Sequence, residues 1–167
     1  MSEPPARRPV DRRAARVLLL ADGAVLLIRG VDPARPERGT WWHTPGGEID
    51  PGESPADAAA REVLEETGRR VAAGDVGPVV ASRVAEFEFE GVAYRQTEAF
   101  FALRVPRFEP SADGWDRVEQ RSLLEHRWWT PDELGASDDV RYPSELASLV
   151  RAVLGGSITT PLELSGT

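Results

Sequence analysis

The 167 residues predict one α/β (α+β) domain, built from a central sheet with helices packed on it. Three observations carry this expectation. Apolar runs pair around turn dipeptides, 15–21 with 24–28 across Asp22-Gly23, and 79–89 with 92–105 across Glu90-Gly91. Between the two pairs, residues 56–67 lack Gly and Pro and are rich in Ala, Glu, Arg and Leu, the composition of a helix. Near the end, Leu146, Leu149, Val150, Val153 and Leu154 recur at helical spacing.

Composition bounds the function. Hydrophobic content is 41%, ordinary for a globular core, and the length suits a single domain. Net charge is −8, which argues against an extended nucleic-acid surface but leaves room for a small phosphorylated ligand whose charge a metal ion neutralises locally. There is no Cys, so disulfides, thiolate nucleophiles and Cys-based zinc sites are excluded, and two His cannot form a three-His zinc centre. No apolar run is long enough to span a membrane, and no apolar region like that of a secretory signal follows the charged N-terminus; a cytoplasmic location is expected. Residues 1–13, rich in Pro and Arg, are expected to be a disordered tail, 14–155 the single domain, and 156–167 a loose C-terminal tail.

The runs 15–21 and 24–28 read as strands buried on both faces. Arg29 ends the second and faces a long loop over 30–40, where it can reach substrate or form a surface ion pair. Trp41, Trp42 and His43 follow; the tryptophans suit packing or stacking at a pocket rim, and His43 reads as structural. Ser54, Pro55 and Asp57 form a helix start, and Gly68 a stop. Residues 70–73 are a short strand candidate. Alternation through Ala85-Glu86-Phe87-Glu88-Phe89 gives one wet and one dry face. Residues 107–121 are polar and turn-rich, 125–129 are the last strand candidate, Thr130-Pro131 opens a short helix, and 142–154 form a terminal helix.

The helix after Ser54 has two faces. Ala56, Ala59, Ala60, Val63 and Thr67 make a slim stripe suited to close packing on a sheet. Glu62, Glu65 and Glu66 crowd another face at i, i+3 and i+4, where each like-charge pair costs about 0.2–0.5 kcal/mol. Taken alone, the three fit a solvated acidic surface, or a cluster for a hard divalent cation that bridges carboxylates to phosphate.

The residues around them decide between these. Gly47, five residues, Glu53, seven residues, then Arg61-Glu62-Val63-Leu64-Glu65-Glu66-Thr67-Gly68 resembles the Nudix box of the Nudix hydrolases. One specified position departs: Arg69 replaces an apolar residue, and Val71 is expected to supply that packing. The resemblance implies a Nudix-type mixed β-sheet sandwiched between α-helices. It implies that Glu62, Glu65 and Glu66 and the Gly46 carbonyl hold the metal, with Glu62 also acting on the attacking water. It implies that Glu53 and Arg61 form an ion pair supporting the loop. An additional carboxylate outside the box is common in such enzymes; here Glu119 is preferred over Glu125 and Glu98, because it belongs to a loop rather than to a strand. For Arg29 the resemblance implies contact with substrate phosphate or base.

The implied reaction is Mg2+-dependent hydrolysis, with Mn2+ as a substitute, of a pyrophosphate bond in a nucleoside diphosphate linked to another group. A nucleoside triphosphate is the favoured small-molecule substrate, because the marker residues of ADP-ribose and dinucleoside polyphosphate enzymes are absent. An ADP-ribose or nucleotide-sugar pyrophosphatase is the alternative within the class, and a non-catalytic nucleotide-binding module the alternative outside it. A prenyl diphosphate isomerase is set aside because its chemistry needs Cys. No membrane partner is expected, and a homodimer is compatible with the sequence.

Overall fold

The computed structural model of the protein describes residues 8–166. The strands are β1 (Val10–Ala21), β2 (Ala24–Val31), β3 (Thr40–His43), β4 (Gly46–Glu48), β5 (Val79–Phe89), β6 (Val92–Arg104), β7 (Leu123–Trp129), β8 (Arg141–Tyr142) and β9 (Leu162–Glu163). The helices are α1 (Pro55–Thr67), α2 (Glu119–Ser122), α3 (Pro131–Ala136) and α4 (Leu146–Leu154). The sheet runs β8-β3-β2-β1-β6-β5-β9, while β4 also pairs with β1 and β7 with β2. It is mixed: β1 is antiparallel to β2 and β4 but parallel to β6.

Local chemistry explains most of these elements. Asp22 and Gly23 both have positive φ, as do Glu90 and Gly91, the backbone that lets a two-residue hairpin match strand twist. Ser54 caps α1 by accepting from the Asp57 N–H at 3.1 Å, and Gly68 ends it in the left-handed conformation. Thr130 and Glu133 form a reciprocal capping box at the start of α3.

Helices cover both faces of the sheet. On one, Ala58, Ala59 and Val63 of α1 pack on Ala15, Val17, Leu19, Leu26 and Phe101. On the other, Leu134 of α3 and Leu146, Leu149 and Val150 of α4 pack on Leu18, Leu20, Leu27 and Phe100. Burying each large aliphatic side chain contributes about 1.5–3 kcal/mol, and Ala residues let the α1 backbone approach closely. The expected stripe shifts slightly: Ala58 is fully buried, whereas Ala60 is only half-buried. Val71 does pack against the α1 cluster, and Arg69 instead lies over the Phe108 ring at 5.6 Å.

Four expectations need correction. Val10–Arg13, expected as tail, are the first rungs of β1, held to β6 from Val10↔Tyr94 onward; residues 1–7 lie outside those described. Residues 70–73 form no strand: Val71 is the lone β-branched residue of the run, and Ala73–Asp75 turns as a 3-10 helix. The terminal helix starts at Leu146 rather than 142, because Tyr142 pairs with His43 in β8 and precedes Pro143, which disfavours helical backbone before it. The C-terminal segment is anchored: β9 pairs with β5, and the Leu164 N–H donates to the Ser82 carbonyl at 2.8 Å.

Candidate metal and phosphate site

The Gly46-Gly47 pair leads from the sheet into α1. A Cβ on Gly46, whose φ is +145°, would lie 2.1 Å from the Ala15 carbonyl oxygen; one on Gly47 would lie 2.6 Å from a Glu62 carboxylate oxygen. Both glycines are therefore required by close approach, the second by the acidic cluster itself.

Glu62 and Glu66 are buried, at 7% and 5% exposure, while the Glu65 side chain is 43% exposed. A solvated face is thus the wrong description of two of the three. One carboxylate oxygen from each of Glu62, Glu65 and Glu119 lies within 4.8 Å of the other two. Glu119 arrives from α2 rather than from a loop, far along the chain from the box. All-oxygen, all-anionic donors at this spacing suit a hard divalent cation. Glu66 accepts the Gly46 N–H at 2.9 Å, and the Gly46 carbonyl, expected as a metal ligand, receives Arg16 Nη1 at 2.9 Å.

The electrostatics agree with an unmet need for positive charge. Burial, then the Glu62 charge, holds the Glu66 carboxyl well above the usual carboxylate range. Burial also raises Glu62, outweighing its Arg61 partner, and lifts Glu119 to about 7 with further repulsion from Asp116, Glu62 and Glu65. A cation among them would reverse these shifts.

Arg61 ties the loop to the helix. Its guanidinium is bidentate on Glu53, with both contacts at 2.9 Å, and it also donates to Glu62 at 2.8 Å and the Glu48 carbonyl at 2.9 Å. The Arg61 hydrogen bond in turn holds Glu53 below the usual carboxylate range. The two residues are joined in the ion pair expected from the sequence.

The acidic cluster opens onto a cleft of about 770 Å3. Trp41 and Tyr142 stand on one side of it, with ring centroids 6.5 Å apart. Trp42 is buried instead, edge-on to Trp129 at 5.2 Å. His43 lines the cleft with its Nδ1 3.0 Å from the Thr44 carbonyl oxygen; burial, then the Arg16 charge, lowers its pKa to about 4, so the ring is neutral near pH 7. Arg29 does not line the cleft. Strand β2 continues past it to Val31, and it faces Glu125 at 3.4 Å across β7. Glu125 is accordingly engaged there, not beside the box.

Several contributors were not visible in the sequence. Trp115 Nε1 donates to the Glu66 carbonyl at 2.9 Å, and His126 Nε2 approaches the same oxygen at 2.6 Å, tethering the last turn of α1 from 49 and 60 residues away. Arg16, Arg83 and Glu98 form the cleft floor, with Gln96 buried beside them and donating to Glu98. Their signal was present but weak: charged and polar residues interrupting strands that are otherwise apolar.

A mixed sheet between helices, with a helix-borne carboxylate cluster facing a cleft, defines the class as an α+β domain whose acidic cluster could hold a metal ion. The chain belongs to the NUDIX family, whose domain model matches residues 10–149. It is 37% identical to a MutT-like protein of Streptomyces ambofaciens over 120 residues, 72% of this chain and 64% of that one. It is 29% identical to an RNA pyrophosphohydrolase of Gluconacetobacter diazotrophicus over 140 residues, 70% of this chain and 81% of that one. A shorter match, 54% over 50 residues, covers 30% of this chain and 13% of an octanoyltransferase of Myxococcus xanthus. The chain thus spans less than two thirds of the length of some relatives it matches. In fold it resembles a MutT protein of Methanosarcina mazei, with a TM-score of 0.64 at 19% identity, covering 91% of this chain and 99% of that one.

Proposed function

We propose that this protein hydrolyses the pyrophosphate bridge of a nucleoside diphosphate linked to another group, with a nucleoside triphosphate as the preferred substrate and Mg2+ as the cofactor. The observation that carries this reading is the convergence of Glu62, Glu65 and Glu119 from two distant segments within 4.8 Å. These three, with Glu66 and the Gly46 carbonyl behind them, would hold the cation. When bound, Mg2+ neutralises phosphate oxygens and favours attack by water. The chain's own residues do the rest. Arg61 fixes the Glu62 carboxylate through a 2.8 Å hydrogen bond. Glu119 is the carboxylate outside the box that the cluster brings to the site, and bound metal would keep it ionised and so able to accept a proton from water. The neutral His43 leaves the negative charge of the cluster intact. Membership of a family with relatives named RNA pyrophosphohydrolase and 8-oxo-dGTP diphosphatase supports the same bond class. No helix among the described residues is long and apolar enough to cross a membrane.

The test is a screen of nucleoside triphosphates, ADP-ribose and nucleotide sugars with Mg2+ and, in parallel, with EDTA. Metal-dependent release of a nucleoside monophosphate is expected, with triphosphates the better substrates. Nucleotide binding without turnover of any of them would leave a binding module as the correct reading.

A further inference from the structure

One face of the sheet changes character halfway along. On β1, β6 and β5 the register aligns Arg16 with Phe100 and Ala81, Ala14 with Glu98 and Arg83, and Arg12 with Gln96 and Ala85. Side chains two apart share a face, so Leu18 and Phe100 belong to the same surface as Glu98 and Arg83. Where α4 covers that surface it is apolar. Beyond α4 it is charged and forms the floor of the cleft, although Gln96 and Glu98 are each 1% exposed and Arg83 is 9% exposed. Burying such residues in a sheet costs free energy unless their partners are complete.

They are not complete. Glu98 accepts from Arg16 Nε at 3.0 Å, from Gln96 Nε2 at 2.6 Å and from Arg83 Nε at 2.5 Å. Arg12 Nε donates to Gln96, and its guanidinium lies 4.1 Å from the Tyr94 ring centroid. Arg83 Nη1, however, is buried with no hydrogen-bond partner. Three guanidiniums therefore surround one floor carboxylate, and the nitrogen left over belongs to a cleft-lining residue.

We propose that Arg83 is a specificity-determining residue whose free nitrogen binds a terminal phosphate of the substrate, with Arg12 and Arg16 supplying supporting charge. This rests on the hydrolase reading above and names the substrate class within it. A terminal phosphate carries a charge of about −1.5 to −2 at pH 7 and presents three acceptor oxygens. That suits a floor on which three guanidiniums lie around Glu98, with Glu62 and Glu66 acting on Arg16 and Glu48 on Arg12 from the side of the acidic cluster. The bridging phosphates of ADP-ribose or a nucleotide sugar carry about one charge each and have no such end group. The carboxylate cluster engages the bridge to be cut, and the arginine floor takes the uncapped end, so the cleft selects triphosphate chains over capped diphosphates.

The experiment compares wild type with Arg83→Lys, which keeps the charge beside Glu98 but removes the second nitrogen, and with Arg83→Gln. Steady-state kinetics are measured with GTP and with ADP-ribose under saturating Mg2+. Calorimetry with inorganic tripolyphosphate in EDTA reads the floor without the metal. The expected result is a fall of roughly tenfold or more in the GTP to ADP-ribose ratio of kcat/KM, carried by KM rather than kcat, and a matching loss of tripolyphosphate affinity. Denaturation midpoints identify a variant that has merely unfolded; if Arg83→Gln does so, Arg83→Lys decides. An unchanged ratio together with unchanged tripolyphosphate binding overturns the assignment. If wild type turns over neither nucleotide, the hydrolase reading fails, and the tripolyphosphate titration still decides the role of Arg83.

Discussion

Replacing Arg61 by Ala should unfold part of the support of the site, and the size of the effect follows from its contacts. The guanidinium makes two 2.9 Å bonds to Glu53, one of 2.8 Å to Glu62 and one of 2.9 Å to the Glu48 carbonyl. The Arg61 side chain is 29% exposed, Glu53 15% and Glu62 9%. Hydrogen bonds to charged groups contribute about 1.5–3 kcal/mol each, and stranding one partner of a buried pair costs about 3–5 kcal/mol. Partial exposure of Arg61 places the cost at the low end, about 3 kcal/mol, which for a chain of this size corresponds to a fall in Tm of roughly 6–12 °C. Urea denaturation followed by circular dichroism measures it, and a double-mutant cycle with Glu53→Ala should return a coupling of about 1 kcal/mol or more. A midpoint unchanged in Arg61→Ala, with no coupling to Glu53, would refute the supporting role.

Three further outcomes are expected. Glu66→Gln should lower turnover by orders of magnitude while raising the metal-free Tm at alkaline pH, because it removes a carboxylate whose ionisation burial, then the Glu62 charge, disfavours; wild-type turnover under saturating Mg2+ would exclude Glu66 from the machinery. Gly47→Ala should push the Glu62 carboxylate aside and weaken Mn2+ binding measured calorimetrically, with little change in a metal-free melt; unaltered Mn2+ affinity would show that the cluster tolerates the displacement. His43, held neutral to about pH 4, binds its proton less readily folded than unfolded. Its penalty is absent above about pH 6.5 and grows as pH falls toward 4, to at most about 3 kcal/mol. His43→Asn should therefore flatten stability across that interval in urea melts at stepped pH, and an unchanged slope would count against the shift.

The parts of the fold legible in the sequence were those fixed by local chemistry. Asp22-Gly23 and Glu90-Gly91 located both hairpins because only positive φ at both positions closes them. Ser54, Pro55 and Gly68 bounded α1 for the same kind of reason. Where tertiary contacts decide, sequence pattern misled: Tyr142 has a helical neighbourhood yet pairs with His43, and Leu162 looks like tail yet pairs with Ala81. At the site, the box residues were legible because their spacing is rigid on one helix. The burial of Glu66 was not, since its carboxylate lies against the Gly46 N–H, 20 residues back in the chain. Nor was the diversion of Arg29 to Glu125, which requires β7 to lie beside β2.

The most direct test of the account is turnover of a nucleoside triphosphate in water enriched in heavy oxygen, with products resolved by mass spectrometry. The chain has no Cys for a covalent route, and the proposed reading has water attack the inner bridge. The expected products are a nucleoside monophosphate and pyrophosphate, with a single heavy oxygen in one of them and none in the other. A nucleoside diphosphate with labelled inorganic phosphate would contradict the placement of the bridge over Glu62, Glu65 and Glu119.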